Sequence, residues 1–193
     1  MPQFLVLIVF VLAMPEARAQ ASAWIDPTGA FSLEIPSGWV QLPPNKVDPR
    51  IRSTLVLDIG PKQELSSDSG NGCSIWRLDH TAPTEVTQEM ANSVLRGWDH
   101  ASVSAETVAQ GKRVLGESEF TNKLTDNVQT VFFAHDTILN SNRVRYSQTQ
   151  FMLALGGRFA SFYTVGCAIF PIGANPDVAK ANAFLSSLRF LKN

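Results

Sequence analysis

The sequence predicts an α+β fold: an antiparallel β-sheet of about six to seven strands flanked by two main helices, an α/β/α sandwich. Three observations carry this. Short runs alternate apolar and polar residues with period two, the pattern of strands with one buried face. Several of these runs are joined by connections too short for a parallel crossover. Two other segments switch to a helical period, and each amphipathic helix needs an apolar surface to cover, which the two faces of a sheet supply.

The elements follow in order. Residues 20–23 read as a short flexible lead. Phe31-Ser32-Leu33-Glu34-Ile35 alternates and stops at the turn Pro36-Ser37-Gly38, after which Trp39 follows. Residues 42–52 read as a loop, and Leu55, Leu57 and Ile59 mark a second strand over 53–60. Pro61 to Gly72, rich in Ser, Asp, Asn and Gly, is a loop, and a third strand spans Cys73 to Asp79. From Thr84 to about His100, Val86, Met90, Val94 and Trp98 recur every fourth residue, with Leu95 beside them. This spacing predicts one helix with that stripe turned inward, Thr84 as its N-cap and Glu85 in the first turn. Four strand-like runs follow, about 112–121, 128–139, 143–155 and 158–169. Their connections include Asn140-Ser141-Asn142 and Gly156-Gly157, residue types that suit hairpin turns. Asn175-Pro176-Asp177 opens a last helix with Val178, Ala181, Leu185 and Leu188 on one stripe. The order βββ–α–ββββ–α fills residues 20–193 as one domain. The unbroken apolar run Phe151–Leu155 predicts that part of the sheet is covered on both faces.

Composition narrows the function classes. An apolar fraction of 45% with twelve Phe and four Trp is that of a folded core and argues against disorder. The net charge of −1 and the lack of a Lys/Arg cluster exclude the electrostatic footprint of a nucleic-acid or anionic-membrane binder. Phe4 to Met14 is a charge-free stretch of eleven residues, followed by Pro15 and Ala17-Arg18-Ala19. It is too short to span a bilayer, which takes roughly 20 apolar residues, and it fits the hydrophobic region of a signal peptide cut after Ala19. Residues 1–19 are therefore expected to be a cleaved signal peptide and the mature chain a soluble periplasmic or secreted protein. No Cys follows the cut, which argues against a lipid anchor. The two cysteines, Cys73 and Cys167, form a bridge in an oxidising compartment, or two buried thiols otherwise. They have neither the spacing of a metal site nor that of a redox motif.

Phe31-Ser32-Leu33-Glu34-Ile35-Pro36-Ser37-Gly38-Trp39 resembles the opening strand and turn of the Mog1/PsbP-like fold family, and Ala183-Phe184-Leu185-Ser186-Ser187-Leu188-Arg189-Phe190 resembles its closing helix and ending. The resemblance implies an antiparallel sheet flanked by helices, used mostly in non-enzymatic roles. It carries over no catalytic or ligand residue.

Chemistry candidates are few. Each histidine neighbours an aspartate: Asp79-His80, Asp99-His100 and His135-Asp136. Adjacent strand residues point to opposite faces, so such neighbours make poor partners. His80 and His100 flank the predicted helix, roughly 25–30 Å apart at 1.5 Å per residue, which argues against a shared metal site. His135 lies on the alternation of Val131 and Phe133 and is expected to be partly buried. Glu117 and Glu119 share a strand face, read as a solvated or edge surface. Gly116-Glu117-Ser118 lacks the second glycine of a nucleophile elbow, since Phe120 stands there. Gly70-Asn71-Gly72 reads as a turn. Trp98 is expected in the core, whereas Trp39 and Trp76 are candidates for a binding surface. No catalytic residue, metal set or cofactor is assigned. The expected role is a non-enzymatic binding or assembly protein of the cell envelope with a protein, peptide or small-ligand partner. The alternative is a hydrolase or metal-dependent enzyme with a site near His135.

Overall fold

The computed structural model describes residues 22–43, 46–48, 51–58, 72–109, 113–139, 142–169 and 176–191. The expected signal peptide, nearly all of the loop 61–72, the turn residues 140 and 141, and Asn175 lie outside the described residues. In chain order the elements are β1 (Ser22–Ile25), β2 (Phe31–Ile35), β3 (Val40–Leu42), β4 (Lys46–Asp48), β5 (Ile51–Asp58), β6 (Gly72–Thr81), α1 (Gln88–Arg96), α2 (His100–Ala109), β7 (Leu115–Thr125), β8 (Val128–Leu139), β9 (Asn142–Gly156), β10 (Phe159–Ile169), α3 (Pro176–Ser186) and β11 (Arg189–Phe190). The fold is α+β, as expected. The large sheet runs β3-β5-β6-β10-β9-β8-β7 with β4 paired to β5 off this path, and β1-β2-β11 form a small second sheet. All pairings are antiparallel.

The four long strands form the expected meander. Two of its turns use consecutive left-handed residues: Asp126 and Asn127 at φ 48° and 66°, and Gly156 and Gly157 at φ 96° and 55°. Two-residue turns of this hand match the twist of the strands they join. β7 carries a bulge between Leu115 and Glu119. Strands β1, β3, β4 and β11 have two to four residues each, too few for alternation to register. β1 takes up part of the expected lead, and β4 lies within the expected loop.

The helix expected over residues 84–100 is shorter, Gln88–Arg96, and a second helix, His100–Ala109, follows it. Thr87, not Thr84, caps α1, its hydroxyl accepting from the Met90 N–H at 3.3 Å. Asp99 caps α2, its carboxylate accepting from the Ser102 N–H at 2.7 Å and the Ser102 hydroxyl at 2.6 Å. These hydrogen bonds are the main reason the Asp99 carboxyl sits below its ordinary pKa. A second capping residue so soon after Gly97 starts a new helix rather than extending the first.

The main core lies on one face of the large sheet, here the back face. Tyr163, Val165 and Ile169 of β10, Ile75 of β6 and Phe151 of β9 meet Phe31 and Leu33 of the small sheet, Phe184 and Leu185 of α3, and Leu188 just after it. Phe31 packs edge-on to both Phe151 and Tyr163, with ring centroids 5.1 Å apart in each pair. Cys73 and Cys167 pair directly across β6 and β10 on this face and are joined by a disulfide, their Cα atoms 4.0 Å apart.

On the front face, α1 does not turn its apolar stripe inward. Met90 and Val94 are 47% and 49% exposed, whereas Ala91, Asn92 and Leu95 are buried. Side-chain amides explain the rotation. Asn92 donates to the Asn127 carbonyl at 2.8 Å and accepts from the Gln129 N–H at 2.9 Å. Gln88 donates to the Met152 carbonyl at 2.9 Å and accepts from the Ala154 N–H at 3.1 Å. These β9 residues lie beyond the last β8–β9 pair, Thr130↔Phe151, so one side-chain amide does there what a neighbouring strand does elsewhere. Asn122 donates to the Leu95 and Trp98 carbonyls at 3.0 and 2.7 Å and so holds the end of α1. Buried backbone polar groups need partners, and that need outweighs the burial of Met90 and Val94.

Two outcomes follow for stability. Replacing Cys73 and Cys167 by Ser is expected to lower unfolding free energy by about 2–4 kcal/mol, because the bridge closes a long loop in the unfolded chain; urea denaturation of the variant beside the wild type measures it. Asn92→Ala is expected to cost about 2–3 kcal/mol by leaving buried backbone groups unsatisfied, and more than Met90→Ala or Val94→Ala. The reverse ranking in thermal melts would contradict the amide anchoring of α1.

Candidate functional site

The helices cover only part of the front face. Leu95 and Val103 pack on Val131 and Phe133 of β8, with Trp98, Phe120 and Phe162 at the margin. Toward β10 and β6, the front-face positions Gly166, Ala168 and Ser74 are small and leave the sheet low. Between these regions lies a half-open cleft of about 590 Å³, within the size range of small-ligand sites. His135 of β8, Tyr146, Gln148 and Gln150 of β9, Phe162 and Thr164 of β10 and Trp76 of β6 line its sheet side. Trp98 and the α2 residues Ser102, Val103 and Thr107 form its other wall.

Strand register assembles this lining. Gln150 sits opposite Thr164, which sits opposite Trp76, and His135 sits opposite Tyr146. The Gln150 amide donates to the Thr164 hydroxyl at 3.4 Å, a long bond. The Trp76 indole N–H donates to Ser74 two residues back at 2.9 Å, which leans the ring along β6. His135 stacks on Tyr146 with centroids 5.7 Å apart and lies 5.0 Å from the Phe133 ring. No Asp, Glu, Lys or Arg is among the described residues that line the cleft. Burial raises the Tyr146 phenol above its ordinary value.

The other candidates fall elsewhere. Trp39 belongs to the main core margin, 5.4 Å from the Phe184 ring, with its indole N–H buried. His80 is exposed on β6, and His100 packs against Phe120 and Phe133 and hydrogen-bonds Ser118. Among the described residues no group of three or more His, Cys, Asp or Glu could hold a metal ion. Asp136, next to His135 in sequence, points to the back face and pairs with Arg143 at 2.6 Å and Arg145 at 3.1 Å, and Arg145 also pairs with Glu119. Glu117 is exposed.

A buried polar group on the back face ties the β1–β2 turn to the sheet. Asp26 accepts from the Thr28 N–H at 2.9 Å and from the Tyr163 hydroxyl at 3.4 Å, and Arg77 lies 5.8 Å over the Tyr163 ring. Burial, reinforced by the Asp26 carboxylate, pushes the Tyr163 phenol up to about 12.

Gln148, Gln150 and Thr164 are missing from the candidates drawn from sequence. Tyr146, Gln148 and Gln150 recur at every second residue within a strand of a covered sheet. That spacing marks a shared polar face, and only pairing to β10 and β6 shows which aromatics join it.

No family profile matches the sequence, and no curated protein is detectably similar to it. Among solved structures, cyanobacterial PsbP (CyanoP) from Synechocystis sp. PCC 6803 is similar at 12% identity, over 92% of this chain and 96% of that one, with a TM-score of 0.49. LpqN of Mycobacterium tuberculosis, described as involved in cell envelope biogenesis, is similar at 10% identity, over 90% of this chain and 91% of that one, with a TM-score of 0.51. Only the second is close enough in shape to bear on the fold, and at that identity it bears on the fold alone.

Both tyrosines give a measurable signature. Absorbance titration of the native protein is expected to show phenolate forming above the ordinary tyrosine pKa of about 10, up to about 12 for Tyr163, with both near 10 in denaturant. The folded state holds these protons more tightly than the unfolded chain. The associated stabilisation is therefore complete below about pH 10 and is lost as pH rises toward 12. A Tyr163→Phe variant that kept the upper titration step would contradict the assignment. The architecture expected from the opening and closing segments is present: an antiparallel sheet flanked by helices, an α+β fold similar to that of LpqN.

Proposed function

We propose that this chain is an exported, non-enzymatic binding protein of the cell envelope, and that the front-face cleft is its binding site for an uncharged ligand. The observation that carries the reading is the cleft itself: about 590 Å³, half open, walled by aromatics and lined by neutral hydrogen-bonding side chains. Export is supported by the charge-free segment Phe4–Met14 followed by Ala17-x-Ala19 and by the Cys73–Cys167 disulfide, a bond that persists in oxidising compartments. Among the described residues no helix is long and apolar enough to cross a membrane. Residues 20–193 acting as one domain belongs to the same reading. The alternative of an enzyme draws on His135 and Tyr146 meeting in the cleft. Against it, the nearest acid in sequence, Asp136, is engaged by arginines on the opposite face and so is not placed to orient His135 as a general base.

The test blocks the cleft without disturbing the fold. A Cβ at Gly166 meets the Gln148 Cβ at 3.5 Å, an ordinary contact, so the backbone accepts a side chain there. Gly166→Leu is expected to abolish binding of neutral fragments, followed by tryptophan fluorescence, with little change in melting temperature. Full binding by Gly166→Leu would remove the cleft from the function. Export is checked by N-terminal sequencing of the protein recovered outside the cytoplasm, which is expected to begin at Gln20. A hydrolytic activity abolished by His135→Ala in a folded variant would favour the enzyme.

A further inference from the structure

We propose that the ligand of the cleft is an uncharged saccharide, a single ring or a short neutral oligosaccharide; this rests on reading the cleft as the binding site and adds the ligand's chemical class. Charge narrows the choice first. No Asp, Glu, Lys or Arg is among the described lining residues, so a phosphate, carboxylate or ammonium entering the cleft would find no counter-charge among them to offset its lost hydration. The floor narrows it further. β6, β10 and β9 are each paired on both sides, so where they pass under the cleft their backbone groups are already bonded to neighbouring strands. A peptide laid there finds no sheet edge to extend, and recognition falls to side chains.

Those side chains are of two kinds. Trp76, Trp98 and Phe162 offer broad apolar ring surfaces, and Trp76 is leaned along its strand by its bond to Ser74. Gln148, Gln150 and Thr164 each present both a donor and an acceptor. A purely hydrocarbon ligand would cover these polar groups without bonding them, which costs binding free energy. A sugar ring has matching parts: C–H faces that pack on aromatic rings, and hydroxyls around its edge that donate and accept at once. The 3.4 Å bond between Gln150 and Thr164 is long enough for a ligand hydroxyl to replace it at little loss. The half-open form lets further rings of a chain run out into solvent.

The test is chemical-shift mapping on the isotope-labelled protein with three sets of probes. The first is neutral methyl glycosides and trisaccharides of glucose, galactose, mannose and N-acetylglucosamine. The second is glucose 6-phosphate and glucuronate, and the third is cyclohexanol and indole as neutral apolar fragments. The expected result is saturable shifts at the Trp76 and Trp98 indoles and the Gln148 and Gln150 amides with at least one neutral sugar. The charged sugars should bind at least tenfold more weakly. Trp76→Ala should weaken the sugar about tenfold, with Trp76→Phe restoring part of it, and Gln150→Ala gives the same reading if the Trp76 variant fails to fold. Apolar fragments that fill the cleft while no sugar does, even at millimolar concentration, would overturn the saccharide and leave the binding site standing. Shifts from neither sugars nor fragments would overturn both.

Discussion

Strand β10 pairs along its length with β6 on one side and β9 on the other, and the register of those pairings decides the character of both faces of the sheet. Tyr163, Val165, Cys167 and Ile169 point one way into the main core; Phe162, Thr164, Gly166 and Ala168 point the other way. Because side chains alternate with period two, a slip of one residue would exchange the two sets. Hydroxyls and glycine would then face Phe31 and Phe184, and apolar side chains would fill the cleft. The disulfide between directly opposed residues of β6 and β10 is a covalent statement of that register. The cleft and the core are thus two consequences of one alignment.

How much of this is readable in sequence depends on the range of the interaction. The long strands and α3 are readable, because their burial repeats over enough residues for a period to emerge. Phe31–Ile35 coincides with β2, and Ala181, Leu185 and Leu188 are buried as their spacing requires. The short strands are not readable, since two to four residues hold no period and pairing alone makes them strands. α1 departs from its pattern for a different reason. Val86, Met90, Val94 and Trp98 form the cleaner apolar stripe, but Gln88 and Asn92 meet backbone groups of β9 beyond its pairing with β8, of the β7–β8 turn and of the start of β8. That demand arises only after the sheet has formed, so no helical window contains it.

The site is readable in parts. Trp76 stands out because it faces away from Cys73 and Ile75, and His135 because it follows Val131 and Phe133. Their convergence is not readable, since it joins four strands, α2 and Trp98 before it through pairings distant in sequence. The glutamines of β9 are easily passed over for a physical reason. An uncharged amide within a strand looks the same whether it meets water or lines a cleft, and only the helices over one part of the face decide between them.

The bulge in β7 has a consequence at the sheet's outer edge. β7 is the last strand of the large sheet, and an edge strand of eleven residues presents a row of hydrogen-bonding groups on which a second molecule could template itself. The irregularity between Leu115 and Glu119 breaks that row, and the exposed Glu117, Glu119 and Lys123 set hydrated charges along it. At the opposite end, β3 has only three residues. Such blunted margins limit edge-to-edge association, and here they are written into the strands themselves.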